Sequence, residues 1–152
     1  MRMWVFSGFM LTAAIQDFRK KEVELWVFAL FGAAAFLMNV YVWIAAETAP
    51  LWQEHLLSCS LGAGMLLLGK LSQGGIGAGD GLFFLTSGLM LRFWENLTIL
   101  CAGVFLGGMY GLAVFGWNQM YGKQNVCKMT IPFLPFAAVP GIWMVVLSYK
   151  GA

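Results

Sequence analysis

The sequence predicts an all-α, polytopic membrane protein with about six transmembrane helices, and three observations carry that prediction. The 152 residues are 61% hydrophobic and only 11% charged, where a soluble domain carries roughly 25%. Charged residues cut the chain into apolar segments, of which Trp26–Ala46 is uncharged throughout and matches the about 20 residues that cross a bilayer. Lys and Arg fall six to one set of alternate connections and three to the other, the asymmetry that orients membrane helices.

The elements follow in order. Met3–Gln16 is the first span, closed by Asp17 and the basic run Arg19-Lys20-Lys21. Its Met-Arg start and Thr12-Ala13-Ala14 also fit a signal peptide, but a basic cluster behind the apolar run holds a first helix in place. Trp26–Ala46 is the second span. An acidic connection with Glu47 and Glu54 leads to the third, His55–Gly69. The fourth, Gly81–Leu91, follows the glycine-rich stretch that ends in Asp80. Asn96–Gly122 and Met129–Tyr149 are the fifth and sixth. Connections are short and no linker or low-complexity stretch interrupts them, so a single membrane domain over residues 1–152 is expected. Arg19, Lys20, Lys21, Lys70, Lys123 and Lys128 then face the cytoplasm. Arg2, Arg92 and Lys150 lie outside with both termini.

Composition excludes several functions. A net charge of +2 without a basic arm or stripe disfavours nucleic acid as a partner; the lipid bilayer is the expected one. Cys59, Cys101 and Cys127 are scattered without a C-x-x-C pair, which supports neither a disulfide framework nor a zinc site. His55 is the single histidine. That argues against a histidine-rich metal centre and against serine or cysteine proteases with a histidine base. A membrane-interface role is expected for His55, and no metal or cofactor is expected anywhere.

Two acids stand apart from this apolar background. Asp17 ends the first span and Asp80 opens the fourth, so two complete spans separate them and both lie on the cytoplasmic face. Eleven residues separate Asp80 from Arg92, about 17 Å of helix against a hydrocarbon core of about 30 Å. A short aspartate side chain there lies below the headgroups. Carboxylates drawn beneath a membrane surface are costly unless they line a hydrated cavity or share a proton. A pair sharing a proton can supply a base that activates water and an acid that polarises an amide carbonyl. The bland alternative is that Asp80 only caps a helix.

Three motifs extend this reading. Gly77-Ala78-Gly79-Asp80 within "GGIGAGD" resembles the G-x-G-D motif of type IV prepilin peptidases. "TAAIQDFRKKEV" resembles their first active-site motif, and "IPFLPFAAVPG", Ile131 to Gly141, the segment opening their last helix. Archaeal preflagellin peptidases are similar, and presenilin-type proteases share the G-x-G-D arrangement. The resemblance implies a multi-pass plasma-membrane aspartyl peptidase, with Asp17 and Asp80 as catalytic pair. It would remove basic leaders from prepilin-like or Flp/Tad-type precursors, ahead of their hydrophobic helix, at the cytoplasmic face. It implies site-shaping roles for Gly77, Gly79, Pro132, Phe133 and Pro135.

The chain also departs from the family pattern. Lys21-Glu22-Val23-Glu24-Leu25 lacks the usual Pro and Asn, and Leu82 stands where a lysine is common. The paired C-x-x-C motifs of the methylating members are missing, so a short, peptidase-only form is expected. Other readings of the same acids are a small proton-coupled transporter and a non-catalytic pilus-assembly protein. Gly103, Gly107 and Gly111 form G-x-x-x-G steps suited to close helix packing. Neither substrate identity nor oligomeric state is legible.

Overall fold

A computed structural model describes residues 2–20, 23–46, 52–72, 77–120 and 133–150. They form six helices: α1 (Arg2–Lys20), α2 (Leu25–Ala46), α3 (Trp52–Leu71), α4 (Ala78–Gly88), α5 (Phe93–Met120) and α6 (Leu134–Lys150). No strand occurs among the described residues. By length and composition, Leu25–Ala45 and Phe93–Trp117 can cross a membrane, and Leu134–Leu147 is a shorter apolar helix. α2 is apolar on all sides, the pattern of a buried or membrane helix. Trp4, Ile44, Leu56, Phe105, Leu112 and Trp143 all turn outward, an apolar exterior that a soluble monomer rarely tolerates on this scale.

Helix boundaries differ from expectation where the acids lie. α1 continues to Lys20, so Asp17 sits one turn inside the helix instead of ending it. α4 starts at Ala78, which makes Gly77 the N-cap and Asp80 the third helical residue. The Asp80 N–H donates to the Gly77 carbonyl at 3.1 Å. The helix spans 11 residues, about 16 Å, and ends in a turn that leads through Arg92 into α5. Of the expected sixth span, Met129 to Pro132 lie outside the described residues.

Phe6, Phe9, Met10 and Ala13 of α1, Val27 and Phe28 of α2, Phe83 and Phe84 of α4, Ile99 of α5, and Leu134 and Ala137 of α6 fill the core. Phe9 stacks on Phe83 at 5.1 Å between ring centroids, a geometry that adds about 1 kcal/mol to the area buried. α3 and α4 are pressed closest. A Cβ on Gly62 would lie 2.2 Å from the Leu85 nitrogen, and one on Gly88 would lie 2.7 Å from the Cys59 nitrogen. Across α5 and α6, a Cβ on Gly103 would meet Phe133 at 3.1 Å and Ala137 at 3.2 Å, the close packing anticipated for the first glycine of that series.

Asn96, fully buried at the start of α5, ties three helices together. Its amide donates to Ser58 Oγ and to the Phe84 carbonyl, both at 3.1 Å, and accepts from Ser87 Oγ at 2.8 Å. A polar knot is affordable in an apolar interior only when its members satisfy one another. This one holds α4 between α3 and α5 and so fixes the helix that carries Asp80.

Candidate active site

Asp17 and Asp80 face one cavity of about 340 Å³, lined also by Val23, Leu25, Gly77, Gly79 and Leu134. Each acid arrives by a different route. On α1, Asp17 continues the buried stripe of Phe6, Phe9, Met10 and Ala13, residues three and four apart that share one helix face. It is 8% exposed and accepts a 3.0 Å hydrogen bond from the Leu134 N–H. Leu134 is the first residue of α6, where backbone N–H groups lack intrahelical partners. Asp17 therefore also fastens the N-terminus of α6 to α1.

Asp80 projects from the first turn of α4. Its carboxylate lies near enough to Asp17 for the two to interact electrostatically. Gly77 holds the N-cap position, so Asp80 is not the N-cap residue. Gly77 matters through its missing side chain: a Cβ there would stand 3.2 Å from Asp80 Oδ2. Among the described residues, no third His, Cys, Asp or Glu joins the two aspartates.

Gly79 lies within α4, and a Cβ on it would meet nothing within 4 Å. It is also one of the residues that line the cavity. Gly79→Val should leave thermal stability nearly unchanged, because valine is slightly better than glycine in a helix. Cleavage should fall by about tenfold or more through misplacement of whatever occupies the cavity. A fully active Gly79→Val protein would show that nothing needs the space beside Gly79.

The third motif divides. Pro132 lies outside the described residues. Leu134, between the two singled-out positions, is the residue that lines the cavity. Phe133 packs on Phe84 at 6.2 Å. Pro135 turns into a separate groove with Leu11, Ile15, Phe18, Val139 and Ile142. Val23, Leu25 and Leu82, noted in the sequence only as departures from a pattern, are walls of the cavity. Their one signal in the sequence was adjacency to the two aspartate motifs. Glu24 accepts from the Trp26 ring nitrogen, and its own N–H donates to Gln16 Oε1 at 3.2 Å. Those bonds hold the α1–α2 connection beside Asp17.

The cavity thus gathers two carboxylates, from α1 and α4, with the first residue of α6. Residues 4–112 match the model of the type IV leader peptidase family, and the chain belongs to that family. The match includes both aspartates and ends within α5, before α6. No match was found among curated proteins or among solved structures.

Proposed function

We propose that this protein is an aspartyl endopeptidase of the plasma membrane, crossing it six times as a single domain. On this reading it removes the leader from prepilin-like precursors, Flp/Tad-type ones included, at the cytoplasmic face. The observation that carries the proposal is the convergence of Asp17 and Asp80 on one cavity, in a chain of the type IV leader peptidase family. The pair shares one proton. The ionised carboxylate takes a proton from water as its oxygen attacks the scissile carbonyl carbon, and the protonated one donates to the carbonyl oxygen. Collapse of the tetrahedral species breaks the C–N bond and passes a proton to the leaving amine. Gly77 and Gly79 keep the approach to Asp80 open, while Val23, Leu25, Leu82 and Leu134 offer apolar contact to the chain around the cleaved bond.

Co-expression with a prepilin-like precursor from the same genome tests this directly. A shift of the precursor to the mobility of its mature form is expected, and an unshifted precursor beside well-expressed protein would overturn the proposal. Two carboxylates activate water without a Lewis acid, so cleavage should persist unchanged in EDTA. Inhibition by EDTA that zinc reverses would replace the aspartyl mechanism with a metal-dependent one.

A further inference from the structure

α1 and α4 are linked at three levels, of which only the Phe9–Phe83 stack is direct. Asp17 and Asp80 face each other's cavity at one end, and the Phe9–Phe83 stack joins the helices between. At the far end, the N-terminal residue of α1 reaches the last residue of α4 through His55 of α3. Arg2 Nη2 lies 2.7 Å from His55 Nε2, and His55 Nδ1 lies 3.1 Å from the Gly88 carbonyl oxygen. Asn39 of α2 doubles the bridge, accepting from Arg2 at 3.0 Å and donating to the Leu89 carbonyl at 2.9 Å. His55 is 5% exposed, a buried tie between helices.

The chemistry of the bridge fixes the state of the ring. A guanidinium only donates and a carbonyl only accepts. Nε2 must therefore accept from Arg2 while Nδ1–H donates to Gly88, which is the neutral imidazole in one tautomer. We propose that His55 is a positioning residue for leader cleavage, its neutral form holding the far ends of α1 and α4 together and thereby setting how Asp17 and Asp80 meet. The inference rests on the reading of those aspartates as the catalytic pair.

A proton on Nε2 turns the acceptor into a donor aimed at a guanidinium. Of the groups around the ring, Glu54 favours the ring's charged form, while Arg2 and Arg92 oppose it. α1 presents Arg2, α2 the neutral Asn39 amide, and α4 the Gly88 carbonyl. Glu54 on α3 faces Arg92 at 3.4 Å. Glu95 on α5 accepts from the Arg92 N–H at 3.0 Å and acts electrostatically on Arg2. Both acids already answer to arginines. Acid at this face therefore breaks the His55 half of the bridge and leaves only the Asn39 link between Arg2 and α4, loosening how α1 and α4 are held about the Phe9–Phe83 contact.

The test uses the full chain in lipid vesicles, with the Asp17 and Asp80 face outward. The probe is an internally quenched peptide with a basic leader and an apolar segment, added outside at constant pH. The interior is brought from about pH 7.5 to about pH 5, the range in which histidine changes charge. Wild-type kcat should fall about tenfold with little change in KM, the scale of loss from a small misplacement of catalytic groups. His55→Gln can accept from Arg2 and donate to Gly88 without titrating, so its kcat should be equal at both interior pH values. Arg2→Gln still offers an N–H to Nε2 but no charge, and should blunt the wild-type response even if His55→Gln does not fold. A wild-type kcat indifferent to interior acid, or an acid response retained in full by either variant, overturns the inference. Asp80→Asn serves as the separate check on its foundation: normal cleavage by that variant would remove the catalytic pair itself.

Discussion

Asp17→Asn and Asp80→Asn should each lower leader cleavage about 10³-fold, within the range that a positioned acid or base contributes. The double substitution should be hardly worse than either single one, because on the proposed mechanism both members serve one proton-sharing unit. Folding should survive in both. An asparagine at position 17 keeps a side-chain oxygen that can accept the Leu134 N–H now bonded to Asp17 Oδ2. At position 80 the change removes a charge from an acid that shares a cavity with another. Asp80→Ser sharpens the test. Asp80 is the third helical residue and not the N-cap, so a merely structural role in the first turn of α4 would leave this variant active. A catalytic role predicts an intact and inactive protein, because a hydroxyl cannot share a proton with Asp17 at neutral pH. Cleavage of a precursor and thermal unfolding in detergent, measured on the same preparations, separate the two. Substantial cleavage by any of these variants would end the assignment.

Gly62→Val should cause the largest loss of stability. Its Cβ would fall 2.2 Å from the Leu85 nitrogen, 2.6 Å from the Leu85 Cα and 2.7 Å from the Gly81 oxygen. All three are backbone atoms of α4, so no rotamer change can relieve the overlap and the helices must part. Overpacking of an interior costs about 1–3 kcal/mol where side chains can yield; here about 3 kcal/mol or more is expected. That corresponds to a fall in Tm of roughly 10 °C for a chain of this size. Gly64→Val is the control, because a Cβ at Gly64 meets nothing within 4 Å. Equal melting temperatures for the two variants would mean that α3 and α4 are not packed as described.

The sequence stretch Gly62-Ala63-Gly64 offers no way to rank its two glycines. One faces α4 and the other does not, and the difference is a rotation of about 200° around α3. The same limit applies to the glycines before Asp80. Gly77 and Gly79 both belong to the G-x-G-D pattern, but a Cβ on one would stand against the Asp80 carboxylate and a Cβ on the other would meet nothing within 4 Å. Pattern matching groups residues by type and spacing, and helical phase then sends neighbours to different faces. Leu134 lines the cavity while Pro135 lines a different groove for that reason.

What the sequence determined by itself was local or additive. An apolar chain with few charges belongs among membrane helices, and uncharged runs divided by charges mark where helices lie. Two aspartates separated by an even number of helical passes belong at the same end of the molecule. These conclusions depend on composition, period and count, all carried by residues close together in the chain. Tertiary structure alone decided which groups touch. The Leu134 N–H meets Asp17 across 117 positions, and Arg2 meets His55 across 53. Neither pair has a signature in its own neighbourhood, because a contact over such a distance depends on how every intervening helix packs. His55 shows the consequence most plainly. As a residue type in an apolar sequence it carried no sign of its partners, and only the simultaneous approach of a guanidinium and a helix-terminal carbonyl makes it a buried, neutral tie between helices.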